Sequence, residues 1–184
     1  MQLRILDAKD KDFYSDDIKK LLLLSDKEFV PPLSVRTSAL DKTFSVSSDV
    51  KDGITTYLEE MKKHEIMAAF ENEKLIGFVS YRFDFVSEII SKSELPNIYV
   101  STLVLSEAAR GKGLTKKMYS YLFNELYAER NVFTRTWSTN GAHTKILSDF
   151  GFFEILRKKN DRGEGIDTVY YKKEKARALM GVSI

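Results

Sequence analysis

Apolar and polar positions alternate along the chain with a period that switches between two and 3.6, and each switch marks an element. Leu3 and Ile5 stand between polar neighbours and predict a short first strand. Tyr14, Ile18, Leu21 and Leu22 then share one helical face, with Asp10 or Asp12 as the cap and Ser25-Asp26 as the end. A second helix is predicted from about Val50 to His64, burying Ile54, Tyr57, Leu58 and Met61. Ile66 to Phe70 and Leu75 to Tyr81 return to strand character around the polar turn Glu71-Asn72-Glu73-Lys74, which makes a hairpin. A third strand, Ile98 to Leu105, is rich in β-branched and aromatic residues. The helix after it carries Leu114, Met118, Tyr121, Leu122 and Leu126 on one face and runs to Tyr127.

Val132 to Ser138 is a further strand with Phe133, Arg135 and Trp137 on one side. Thr139-Asn140 caps a short helix that holds Ile146, Leu147 and Phe150 and ends at Gly151 in a left-handed turn. Phe152 to Lys158 and Ile166 to Lys173 close the chain as two strands joined by the turn Asn160 to Gly165. The order is strand, helix, loop, helix, three strands, helix, strand, helix, two strands. That is an α/β layout, a mixed sheet with helices on its faces, expected as one domain over residues 1–184.

The stretch 26–50 breaks this rhythm. Pro31-Pro32 cannot continue a helix, and the residues beyond are rich in Ser, Thr and Asp, so a long loop is predicted. Composition supports a substrate lid and a plain connector equally. In the lid reading, Phe29 and Leu33 offer apolar cover and Arg36 an anion-binding fork.

Composition narrows the chemistry. At 184 residues, 43% hydrophobic and 30% charged, the chain fits an ordinary soluble domain. A net charge of +2 argues against a nucleic-acid partner. The absence of cysteine removes disulfides, thiolate nucleophiles and cysteine-based zinc sites, and the two histidines, His64 and His143, lack metal-ligand spacing. No apolar signal core opens the chain and Leu21 to Leu24 is too short to span a bilayer, so a cytoplasmic, membrane-free protein is expected.

The positive charge that matters is local. Between the third strand and its helix lies Ser106-Glu107-Ala108-Ala109-Arg110-Gly111-Lys112-Gly113, with Lys116 and Lys117 just beyond. Glycines that let the chain turn, followed by the unpaired first amides of a helix, make an anion cradle. It is not a P-loop, because Ser106 stands where the first glycine is required. It is not the dinucleotide fingerprint either, since no third glycine follows Gly111-Lys112-Gly113.

The run Arg110-Gly111-Lys112-Gly113-Leu114-Thr115 resembles the acetyl-CoA loop of the GNAT acetyltransferase superfamily, Arg/Gln-x-x-Gly-x-Gly/Ala, departing from it only at Thr115. Asn140 to Phe152 resembles the family's second signature, an Asn-led helix ending in Gly-Phe, and Lys74 to Phe78 its early hairpin. The resemblance implies a GNAT-like, mostly antiparallel central sheet and acetyl-CoA as acyl donor. It also implies that the backbone of Leu103, Val104 and Leu105 lies along the pantetheine arm, with Leu103 and Leu105 pairing like an added strand. The amides of Arg110, Gly111, Lys112, Gly113, Leu114 and Thr115 would hold the pyrophosphate, and Asn140 would contact the arm while capping its helix.

The implied activity is acetyl transfer to a primary amine, on a small molecule or a peptide, by direct attack in a ternary complex. The family's acid–base residues are incompletely matched. The usual tyrosine, counted from Asn140, falls on Leu147, and the usual strand carboxylates fall on Tyr99 and Ser101, which are the candidate catalytic residues. His143, at the positive end of its helix, is a weaker candidate. The alternative is a catalytically silent CoA-binding sensor or interaction module. Exposed edges of the closing hairpin would suit a homodimer.

Overall fold

The computed structural model describes residues 1–36 and 50–176. Its strands are β1 Gln2–Ile5, β2 Glu65–Glu71, β3 Lys74–Phe83, β4 Asn97–Leu105, β5 Asn131–Trp137, β6 Phe153–Lys158 and β7 Thr168–Lys173. They form one seven-stranded sheet in the order β1-β2-β3-β4-β5-β7-β6. Every neighbouring pair is antiparallel except β4 and β5. The helices are α1 Ala8–Phe13, α2 Ser15–Ser25, α3 Val50–Lys62, α4 Leu114–Ser120 and α5 Gly141–Asp149. Among the described residues no helix is long and apolar enough to cross a membrane.

The predicted elements are present, with local corrections. The helix carrying Ile18, Leu21 and Leu22 is α2, which follows Tyr14 with no side-chain cap, so neither Asp10 nor Asp12 caps it. Those two lie in the separate α1, whose N-cap Asp7 accepts from the Asp10 amide at 2.8 Å. The helix at Leu114 keeps α geometry only to Ser120 and then widens into a π-helical turn over Tyr121–Leu126. Its buried face accordingly includes Tyr119 and Phe123, while Tyr121 is only half-buried. His64, the predicted end of the second helix, is buried, because the chain turns at once into β2.

Two cores sandwich the sheet. On one face Ile18 and Leu22 of α2 and Ile54, Tyr57, Leu58 and Met61 of α3 pack on Ile66, Ala68, Phe78 and Val104. On the other, Leu114, Met118, Leu122 and Phe123 pack on Met67, Val79, Ile98, Val100 and Val132, with Leu147 of α5. Pleating alone would send Ile98, Val100, Thr102 and Val104 to the same face. A bulge prevents it: Ser80 pairs with Thr102 and Tyr81 with Val100, leaving Ser101 as the extra residue. Ile98 and Val100 therefore face α4, while Thr102 and Val104 face α2 and α3.

The described part of the loop, residues 26–36, is packed against the core. Leu33 is fully buried in the core. The buried Asp26 carboxylate accepts from the Ser34 amide at 2.7 Å and from the Ser34 hydroxyl at 3.0 Å. Gly53 of α3 lies so close that a Cβ there would sit 1.8 Å from the Ser34 carbonyl oxygen, which explains a glycine inside a helix. The remainder of the loop reading, residues 37–49, lies outside the described residues.

Candidate active site

Parallel pairing of β4 and β5 covers only Asn97↔Asn131 to Val100↔Thr134. A Thr134 hydroxyl bond to the Val100 carbonyl, 3.0 Å, closes the last rung. Past it the strands part, and a cavity of about 330 Å³ opens between them. Ser25, Glu28, Phe29, Arg135 and Trp137 line it on the α2 side, and Tyr119, His143 and Ile146 on the α4 side.

The outer half of β4 supplies an unpaired edge. The Ser106 amide donates to the Ile76 carbonyl at 2.8 Å, so by antiparallel alternation Ser106, Val104 and Thr102 turn their backbone toward β3. Leu103 and Leu105 turn theirs toward the gap. The Leu105 carbonyl is already taken by Arg110 Nε at 3.2 Å and Nη2 at 3.1 Å, which leaves its N–H. Val104 lines the cavity, but its side chain belongs to the core and its backbone to β3.

The glycine loop has the shape of a cradle. Gly111 and Gly113 adopt φ of 70° and 74°, and space around both is open. The Arg110 amide is committed to the Glu107 carbonyl at 3.1 Å, and the first α4 amide with a backbone partner is Lys117, bonded to Gly113 at 3.1 Å. Among the described residues the amides of Gly111 to Lys116 have no backbone or side-chain acceptor. Such a run of N–H groups is suited to a pyrophosphate. The Arg110 side chain points elsewhere: besides Leu105 it reaches Glu28 Oε1 at 2.6 Å. Glu28 is the sole carboxylate lining the cavity among the described residues. No local pattern announces it, because its partner lies 82 residues on.

The two candidate catalytic residues separate. Ser101 lines the cavity at the bulge, with its hydroxyl donating to the Ser80 carbonyl at 3.1 Å. Tyr99 is buried among Ile90, Phe133 and Phe85, with a ring separation of 4.6 Å to Phe85, and burial raises its pKa. It is not among the lining residues. Leu147 is fully buried in the core.

Sequence reasoning missed two hydroxyl pairs. Tyr57 Oη lies 2.6 Å from the Oγ1 of Thr102, which lines the cavity. Tyr119 Oη lies 2.9 Å from His143 Nε2, and both residues line the cavity. Burial raises the Tyr119 pKa and lowers that of His143 to about 4, so the imidazole is neutral at pH 7. The one sequence signal for Tyr119 was its i, i+4 spacing to Phe123. Asn140 caps α5 as predicted, accepting from the His143 amide at 3.2 Å, and its Nδ2 donates to Thr136.

A splayed parallel strand pair inside an otherwise antiparallel sheet, with a glycine cradle at its mouth, defines a site for an extended anionic donor such as a CoA thioester. Residues 35–152, more than half of the chain, match the family model described as the acetyltransferase (GNAT) family. The chain belongs to this family of acetyltransferases, and its acyl donor is acetyl-CoA. Among solved structures, it is similar to yncA from Salmonella typhimurium, solved with its cofactor acetyl-CoA (14% identity, 100% of this chain and 99% of that one, TM-score 0.65). It is also similar to an aminoglycoside 6'-acetyltransferase type Ii (16% identity, 97% and 99% covered, TM-score 0.65). The ribosomal-protein-S18-alanine N-acetyltransferase from Escherichia coli is a further likeness (13% identity, 100% and 97% covered, TM-score 0.59). At these identities the likeness is one of fold. No curated protein matches the sequence.

Proposed function

We propose that the protein transfers an acetyl group from acetyl-CoA to a primary amine by direct attack, with both substrates bound at once. The observation that carries this reading is the cavity between β4 and β5, lined from both sides of the sheet. A donor lying along Leu103 and Leu105 and an amine arriving from the α2 side would meet at the Ser101 bulge. The amides of Gly111 to Thr115 would hold the pyrophosphate, joined by that of Lys116, and Asn140 would contact the pantetheine arm. Acetyl-CoA supplies the reactive thioester, and backbone N–H groups of the splayed strand stabilise the oxyanion.

Proton transfer falls to hydroxyls and water. The Glu28 carboxylate is engaged by Arg110, so an incoming ammonium loses its proton to water. A thiolate leaving group, whose thiol has a pKa of roughly 8.5, needs only a weak donor. Ser101, Thr102 backed by Tyr57, and Tyr119 backed by His143 are among the hydroxyls at or beside the cavity.

Thiol release measured across an amine panel tests the reading. Turnover with at least one primary amine is expected, together with thermal stabilisation by acetyl-CoA that Gly113→Glu abolishes. A glutamate there would have to adopt φ of 74° and would set a negative charge in the cradle. Stabilisation without turnover would instead support a silent CoA-binding module, and no stabilisation would remove both. The outer strand β6, where Phe153 and Ile155 stand exposed, is where a homodimer would form. A sedimentation mass of one chain at high concentration would exclude that.

A further inference from the structure

Some arginines of this protein pair with carboxylates, and others are held by neutral groups alone. Arg4, Arg110, Arg130 and Arg157 each reach an Asp or Glu. Arg36, Arg135 and Arg162 are buried or half-buried, and among the described residues none has a carboxylate within ion-pair distance. Unpaired charge away from water is costly, and a fold that gathers three such charges leaves room for a compensating anion.

The three are brought together by tertiary structure. Arg135 projects from β5 into the cavity, opposite Tyr170 of β7, to whose hydroxyl its Nη1 donates at 3.4 Å. Arg162, in the β6–β7 turn, donates from Nε to Thr168 Oγ1 at 2.9 Å and from Nη1 to the Val30 carbonyl. Its guanidinium lies 5.8 Å from the Trp137 ring centroid. Arg36 donates from Nε at 3.1 Å and Nη2 at 2.6 Å to the Pro31 carbonyl and lies 5.6 Å from the Phe29 ring. Phe29 and Trp137 are themselves 5.7 Å apart and line the cavity. Two arginines are thus each stacked on a wall of the cavity, and the third lines it directly.

Each guanidinium is oriented by neutral acceptors, a carbonyl or a hydroxyl, which fix its plane without cancelling its charge. Arg36 Nη1, Arg135 Nε and Nη2, and Arg162 Nη2 have no acceptor among the described residues. None of them is sealed from solvent either: the buried unpartnered side-chain atoms are Arg4 Nε, His64 Nδ1 and Ser80 Oγ. The nearby carboxylates are committed. Asp26 binds Ser34 through both oxygens, and Asp161 accepts from the Thr168 hydroxyl at 2.5 Å. Burial, with Arg36 and Arg135 close by, lowers the Arg162 pKa to about 10, still charged at pH 7.

We propose that Arg36, Arg135 and Arg162 form the acceptor's anchoring site and bind a carboxylate or phosphate, so that the amine acetylated is carried on a small anionic molecule. This rests on the acetyltransferase reading and specifies its substrate class. Planar forks match either oxyanion in bidentate fashion, and the aromatic walls cover the carbon chain between anion and amine. A polycationic acceptor would meet three like charges and is disfavoured.

The test uses the full chain and two readouts. In the first, thiol release is measured for straight-chain amines matched in length and ending in carboxylate, phosphate, hydroxyl or ammonium. The anionic amines should exceed the hydroxyl-terminated ones in kcat/KM by at least about tenfold. The carboxylate and phosphate arms decide which oxyanion is preferred. Arg162→Gln and Arg36→Gln should collapse that ratio while acetyl-CoA still stabilises the variants, which shows that they fold. Equal rates for anionic and neutral amines, or an unchanged ratio in both variants, would overturn the proposal. In the second readout, with the glycine cradle filled by saturating CoA, inorganic phosphate should raise the melting temperature of the wild type and not of Arg162→Gln. That arm needs no catalysis, so a failed anion site and a failed acetyltransferase reading give different results.

Discussion

His143 and Tyr119 show how one buried contact sets the chemistry of a cavity wall. With its pKa lowered to about 4 by burial, His143 stays neutral where a free imidazole, near 6.5, would titrate. A nuclear magnetic resonance titration should therefore show no change at its ring carbons between pH 8 and 5.5, and kcat/KM should carry no inflection near 6.5 from this residue. A midpoint near 6.5 would contradict the geometry. His64 is lowered to about 4 as well, by burial first and then by the Arg82 charge. Because both folded-state values lie below the unfolded value, the stability these groups contribute is complete above about pH 6.5. It is lost as pH falls toward 4.

At the scale of elements, the fit of α3 against residues 26–36 shapes the α2-side wall of the cavity. Gly53→Ala would place a methyl group 1.8 Å from the Ser34 carbonyl oxygen. The gain in helix propensity, about 1 kcal/mol, is outweighed by overpacking against backbone, about 1–3 kcal/mol and more where nothing yields. Calorimetry should show a lower melting temperature, by about 2–4 °C per kcal/mol for a chain of this size. A higher one would mean that the segment is not held there. The periodic part of this architecture was legible in the sequence. Ile54, Tyr57, Leu58 and Met61 repeat at helical spacing and are all buried. The glycine loop was legible too, because its conformation depends on neighbours in the chain. The Ser101 bulge was not, since an extra residue in a strand leaves no local mark and shows only against the register of β3. Nor was the arginine cluster: Arg36, Arg135 and Arg162 sit on three segments that only the sheet order brings together.

The whole molecule is a sheet parted at one seam, with the cradle at one end of the gap and the arginines beside its α2-side wall. On the proposed reading such a site holds two substrates at once and uses no covalent relay. The chain has no cysteine, and the Ser101 hydroxyl donates its proton to a strand carbonyl. Initial rates measured while acetyl-CoA and an accepted amine are varied together test this most directly. Direct attack within a ternary complex predicts double-reciprocal lines that intersect. Parallel lines, the signature of an acetylated enzyme that has already released CoA, would contradict it.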